Sequence, residues 1–84
     1  MYIRKLITTF ALENNFYYSI SNNEATIWSP VDNKIPDILE IPSSIDGYPI
    51  TAIGEDAFNY CLNLKEVIFP DTVTKIGSNA FKNC

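Results

Sequence analysis

Apolar side chains at Ile3, Leu6, Ile7, Phe10 and Ala11 recur with the i, i+3, i+4, i+7, i+8 spacing of one helical face. Residues 1 to 15 therefore predict a short amphipathic helix ending near Asn14 and Asn15. Thr8 and Thr9 lower helix propensity, which leaves a frayed or strand-like leader as the alternative. The period then changes. Phe16-Tyr17-Tyr18-Ser19-Ile20 and Ala25-Thr26-Ile27-Trp28 are two β-rich runs around Ser21-Asn22-Asn23-Glu24, and asparagine accepts the positive φ of a tight turn, so a β-hairpin is expected. A polar loop from Ser29 to Lys34 follows, and Ile38-Leu39-Glu40-Ile41 reads as a strand stopped by Pro42.

From there the chain repeats itself. Ile53-Gly54-Glu55-Asp56-Ala57-Phe58-Asn59-Tyr60-Cys61 returns as Ile76-Gly77-Ser78-Asn79-Ala80-Phe81-Lys82-Asn83-Cys84, with Ile, Gly, Ala, Phe and Cys each displaced equally: 76 − 53 = 23 and 84 − 61 = 23. A fixed period of this size marks a solenoid, whose units bury their apolar faces only by stacking on one another. Within each unit, Leu64-Lys65-Glu66-Val67-Ile68-Phe69-Pro70 predicts a strand, and Ile50-Thr51-Ala52-Ile53 and Val73-Thr74-Lys75-Ile76 short edge segments. Glu55 to Cys61 is expected to form one or two helical turns, with its acids at the start and Ala57, Phe58 and Cys61 on one face. Pro42 and Pro70 play one part at a spacing of 70 − 42 = 28, five more than the period. The excess is placed in the region from Ser44 to Pro49, which holds the turn signal Asp46-Gly47, as a longer turn of the capping unit.

Written out, Leu64-x-x-Val67-x-Phe69-Pro70-x-x-Val73-x-x-Ile76-Gly77-x-x-Ala80-Phe81-x-x-Cys84 resembles the BspA-type, or Treponema-type, leucine-rich repeat. Ile41-Pro42-Ser43-Ser44-Ile45-Asp46-Gly47-Tyr48-Pro49-Ile50 is similar to the unit that opens such arrays. The resemblance implies an α/β repeat fold, a right-handed leucine-rich-repeat solenoid with a strand of each repeat lining one face and short helical or irregular segments on the other. Residues 1–37 are then expected as an N-terminal helix and β-hairpin cap, and 38–84 as the repeats. The family's members are often surface or secreted proteins that bind other proteins, matrix components or host cells, so the resemblance implies a protein partner and favours the cell surface. About one and a half repeats are present, and the second copy closes on Cys84. A truncated fragment or a minimal remnant with an open C-terminal end is expected, and that end is a possible surface for self-association.

Alternation sorts these residues into a buried spine and an outer face. Ile53, Ala57, Phe58, Cys61, Leu64, Val67, Phe69, Ile76, Ala80, Phe81 and Cys84 are the structural spine, with polar Lys65, Glu66, Asp71, Thr74, Lys75 and Lys82 between them. Ile68 is the misfit, pointing opposite to Val67 and Phe69. Stacking places Ile38 beside Glu66 and Glu40 beside Ile68, a patch of two isoleucines and two acids that is the binding candidate, since exposed apolar residues framed by charge are an interface feature. The competing reading has the isoleucines covered by the N-terminal helix, or present merely as β-formers. Trp28, Tyr48, Tyr17 and Tyr18 are better expected in core or cap than in a binding site, given the area each buries.

Composition narrows the function classes. The 84 residues are 46% hydrophobic with a net charge of −4, and the six bases are scattered. A basic stripe for nucleic acid is missing, and an anionic membrane surface is disfavoured for the same reason. No apolar run nears the roughly 20 residues of a membrane span, and the basic pair Arg4-Lys5 with its short apolar stretch lacks the cleavage site of a signal peptide. With no histidine, no Ser-His or Cys-His nucleophile can be built, and no catalytic residue is expected. The Glu55-Asp56 pair suits a helix start better than acid–base work. Two cysteines one repeat apart do not have zinc-site spacing, and no metal, cofactor or phosphate loop is expected. Stacked turns would bring Cys61 and Cys84 within reach of a disulfide, but free thiols packed as small hydrophobes are the preferred expectation.

Overall fold

The computed structural model describes residues 16–31 and 35–84. Its first element is a hairpin of β1 (Phe16–Ser21) and β2 (Glu24–Pro30), paired antiparallel with Ser21 opposite Glu24. Asn22 and Asn23 turn it at φ 54 and 63, the two successive positive values that a tight hairpin turn of matching twist requires. Phe16 and Tyr18 face inward and Tyr17 outward by ordinary alternation, and the register shifts between Tyr17 and Tyr18, where Trp28 is the extra residue on β2. The expected helix over residues 1–15 lies outside the described residues.

After β3 (Ile38–Glu40), Ser44–Ile45 (β4) and Tyr48–Ile53 (β5) form a second, very tight hairpin, turned by Asp46 at φ 53 and Gly47 at φ 83. The five residues in excess of the period fall in this hairpin. β5 then runs parallel to β2, with Ala25 opposite Ile50 and Ile27 opposite Ile53. The last strands, β6 (Glu66–Ile68) and β7 (Lys75–Ile76), lie parallel to β3 and β5. The outcome is two sheets, β1-β2-β5 with β4 and β7 on its far edge and a β3-β6 pair, enclosing one core. Tyr18, Ile27, Ile45, Ile50, Ile53 and Phe58 are its largest fully buried side chains.

Between the sheets the segment from Glu55 to Cys61 closes each coil, and here the structure differs from the sequence expectation. It is a chain of turns, and no α-helix occurs among the described residues. The amides of Ala57, Asn59 and Cys61 donate three residues back, to the carbonyls of Gly54, Asp56 and Phe58. Those of Asp56, Phe58 and Tyr60 instead donate across to Ser78, Ala80 and Lys82 of the next coil, at 3.0, 2.7 and 3.0 Å. Half of the amides a helix would need are thus committed to the neighbour. Asp56 and Tyr60 also take φ 58 and 65, a left-handed conformation repeated 23 positions on by Asn79 and Asn83 at 59 and 63. For tyrosine this conformation costs roughly 1–2 kcal/mol, and only the stacked bonds on either side hold it.

The two copies of the spine end in different environments. Ile53, Ala57, Phe58, Leu64 and Ala80 are buried, and Cys61, Val67 and Phe81 half-buried, whereas Ile76 is 53% exposed, Phe69 37%, and Cys84 exposed. The expectation of burial therefore fails for Phe69, Ile76 and Cys84. Of the second copy only Ala80 is fully buried, while Ile76 and Cys84, like Phe69 of the strand before them, keep a face that no described residue covers.

Candidate functional site

The outer face of β3-β6 follows directly from strand geometry. Three-residue strands with inward Leu39 and Val67 must turn the residues on either side of them outward. The parallel register sets Ile38 beside Glu66, Leu39 beside Val67, and Glu40 beside Ile68. Ile38 is 52% and Ile68 45% exposed, and both glutamates are exposed. Neighbouring strands lie about 4.8 Å apart, so each isoleucine has a carboxylate at its flank and the second isoleucine on the diagonal. Backbone bonds fix the platform from both ends. The Lys65 and Glu66 amides share the Asp37 carbonyl at 2.7 and 3.0 Å, and the Ile41 amide donates to Ile68 at 2.9 Å. The patch can offer two apolar contacts and two anionic acceptors on a rigid surface, and it has no chemistry beyond that. The proposed cover by an N-terminal helix lies outside the described residues.

The aromatic candidates are divided. Tyr18 is buried, with its hydroxyl 3.4 Å from Asp46 Oδ2; Tyr48 is half-buried and Tyr17 partly exposed. Trp28 is 47% exposed, and its indole N–H donates to Ser19 Oγ at 2.7 Å. Its ring lies against Gly54, where any Cβ would overlap it. Trp28 thereby walls a shallow groove of about 440 Å³ floored by Ala52, Gly54 and Gly77, with Glu55 and Lys75 on its rim. Sequence reasoning missed this groove. A partial signal was present in the small residues Ala52, Gly54 and Gly77, which leave space that larger side chains would fill.

Among the described residues no three of His, Cys, Asp or Glu gather where they could hold a metal. Cys61 and Cys84 are free thiols. Burial, and secondarily the neighbouring Cys84, push the Cys61 thiol above its ordinary value, so less of it is thiolate at a given pH. No described helix is long and apolar enough to cross a membrane.

Comparison with known proteins gives two matches of consequence. Residues 38–84 match the family described as BspA type leucine rich repeat region (6 copies). The fold is similar to the crystal structure of a T. pallidum leucine rich repeat protein, with a TM-score of 0.77 and 28% identity, covering 86% of this chain and 34% of that one. The chain thus spans about a third of that protein's length. No curated protein matches it.

Proposed function

Since this chain belongs to the BspA-type leucine-rich repeat family, whose repeats are typically non-catalytic protein-interaction modules, we propose that it binds another protein through the outer face of β3-β6. The observation that carries the reading is the diagonal register of Ile38, Glu40, Glu66 and Ile68, with both isoleucines about half exposed between carboxylates. Exposed isoleucine on a solvated strand serves nothing in the core, while an apolar centre with a charged surround is what interfaces use. With two acids in the patch and a chain net charge of −4, the complementary surface is apolar with basic residues beside it, such as a host or matrix protein could present.

A photo-crosslinking residue at position 68 is expected to capture the partner, and one at Lys82, outside the patch, is not. Against that partner, Ile68→Asp and Glu66→Lys should each weaken binding tenfold or more, or about 1.4 kcal/mol. Unchanged affinity in both, with the circular dichroism of the parent, would sink the proposal. A second reading, a self-assembling structural segment of a larger surface protein, rests on exposed Ile76 and Phe69 at the last coil. It predicts concentration-dependent sedimentation that Ile76→Lys suppresses. A strictly monomeric profile at high concentration removes it.

A further inference from the structure

We infer that Cys61 and Cys84 form a thiol pair that an external disulfide of the glutathione type can close into a clasp between the two coils. The register comes from the backbone. Phe58 and Tyr60 donate to the carbonyls of Ala80 and Lys82, which in a parallel ladder sets residue 58 opposite 81, 60 opposite 83, and hence Cys61 opposite Cys84. The Phe58 and Phe81 rings confirm the spacing, stacked at 5.2 Å between centroids and 2° between planes. A disulfide requires Cα atoms about 4.4–6.8 Å apart, a window that includes the ~4.8 Å spacing of neighbouring strands.

The sulfur positions add a second, independent observation. The Phe58 carbonyl accepts the Cys61 amide at 3.2 Å, and the Cys84 thiol lies 3.1 Å from that same oxygen. Cys84 therefore leans back over the first coil, onto the carbonyl that Cys61 itself uses. It is also the exposed member of the pair, with Cys61 half-buried behind it. This order suits exchange in two steps. The Cys84 thiolate attacks the external disulfide, forming a Cys84–glutathione bond and releasing one glutathione thiolate. Cys61, having lost its proton, then attacks Cys84 sulfur and expels the second. Two protein thiols are oxidised, one external disulfide is reduced to two thiols, and the two protons go to solvent or to the departing thiolates.

The closed clasp ties the second coil to the first across a covalent loop that includes β6 and β7. Wild-type protein treated with oxidised glutathione should lose both thiols, stay monomeric, and yield a Cys61–Cys84 cross-linked peptide on non-reducing mass mapping. Its Tm should rise by on the order of 10 °C and return on addition of dithiothreitol. Cys61→Ser should stop at the Cys84–glutathione adduct with no gain in Tm. A wild-type end product that keeps the adduct, a dimer linked through Cys84, or an internal disulfide without a rise in Tm would each overturn the inference.

Discussion

Phe58→Ala is expected to destabilise the protein by about 3–5 kcal/mol, the range for deleting a fully buried phenylalanine. Its ring is the joint at which three layers meet. Phe16 of the hairpin packs edge-on against it at 5.9 Å and 83°, and Phe81 of the second repeat stacks on its opposite side. Loss of the ring unseats the hairpin and the second coil together. A chain of 84 residues has a total stability of only about 4–12 kcal/mol, so the variant should be largely unfolded at 37 °C or close to it. Urea titration followed by Trp28 fluorescence reads this directly. Phe81→Ala, at a half-buried position, should cost less than half as much. A Phe58→Ala cost below about 1 kcal/mol would contradict the packing described.

Gly77→Ala should separate the two coils, and Gly54→Ala should not. A Cβ at Gly77 would sit 2.6 Å from the Glu55 amide nitrogen and 2.8 Å from the Gly54 carbonyl carbon, both backbone atoms held in the core stack. Main chain cannot swing away, so β7 must lift from β5, at a cost on the order of 1–3 kcal/mol. The Gly77 amide, bonded to Ile53 at 2.8 Å, should then exchange hydrogen much faster than in the parent. At Gly54 the obstacle is the Trp28 ring, an exposed side chain that can rotate at the expense of its bond to Ser19. The expected cost there is about 1 kcal/mol, with a shift in tryptophan emission as the indole leaves its seat. Neither glycine adopts a positive φ, so the contrast isolates close approach from backbone strain.

Much of this was legible in the residues. The 23-residue displacement is enough to stack Ile53 on Ile76 and Phe58 on Phe81, because a repeat that buries itself on its neighbour must put equivalent residues in register. The same logic places Ile38 beside Glu66 and Glu40 beside Ile68. Asn22-Asn23 and Asp46-Gly47 marked their turns through the left-handed conformation those residue types accept. The segment Glu55 to Cys61 was misleading for a physical reason. Ala57, Phe58 and Cys61 at i, i+1, i+4 suit one face of a helical turn, and they suit equally a row of turns whose amides alternate between local and neighbouring carbonyls. Asn79 and Asn83 carried a hint of the second, but Tyr60, at the position equivalent to Asn83, hid it. The exposure of Ile76 and Phe69 lies beyond any local pattern, since it depends on what covers the far side of a coil. The groove beside Trp28 required knowing that β2 and β5, far apart in sequence, are neighbours.

The alternating amides of the turn segments give the stack a direction. Along this side each coil offers hydrogens forward and receives them from behind, and the amides of Asn79, Phe81 and Asn83 find no backbone acceptor among the described residues. A second copy related by a two-fold axis across that end would bring its own donors to meet them, hydrogen against hydrogen. A copy arriving in the same orientation would instead have to offer carbonyls from its opposite end. A contact made through these amides would therefore be heterologous, head to tail, and would close into a ring or extend as a filament according to the rotation between copies.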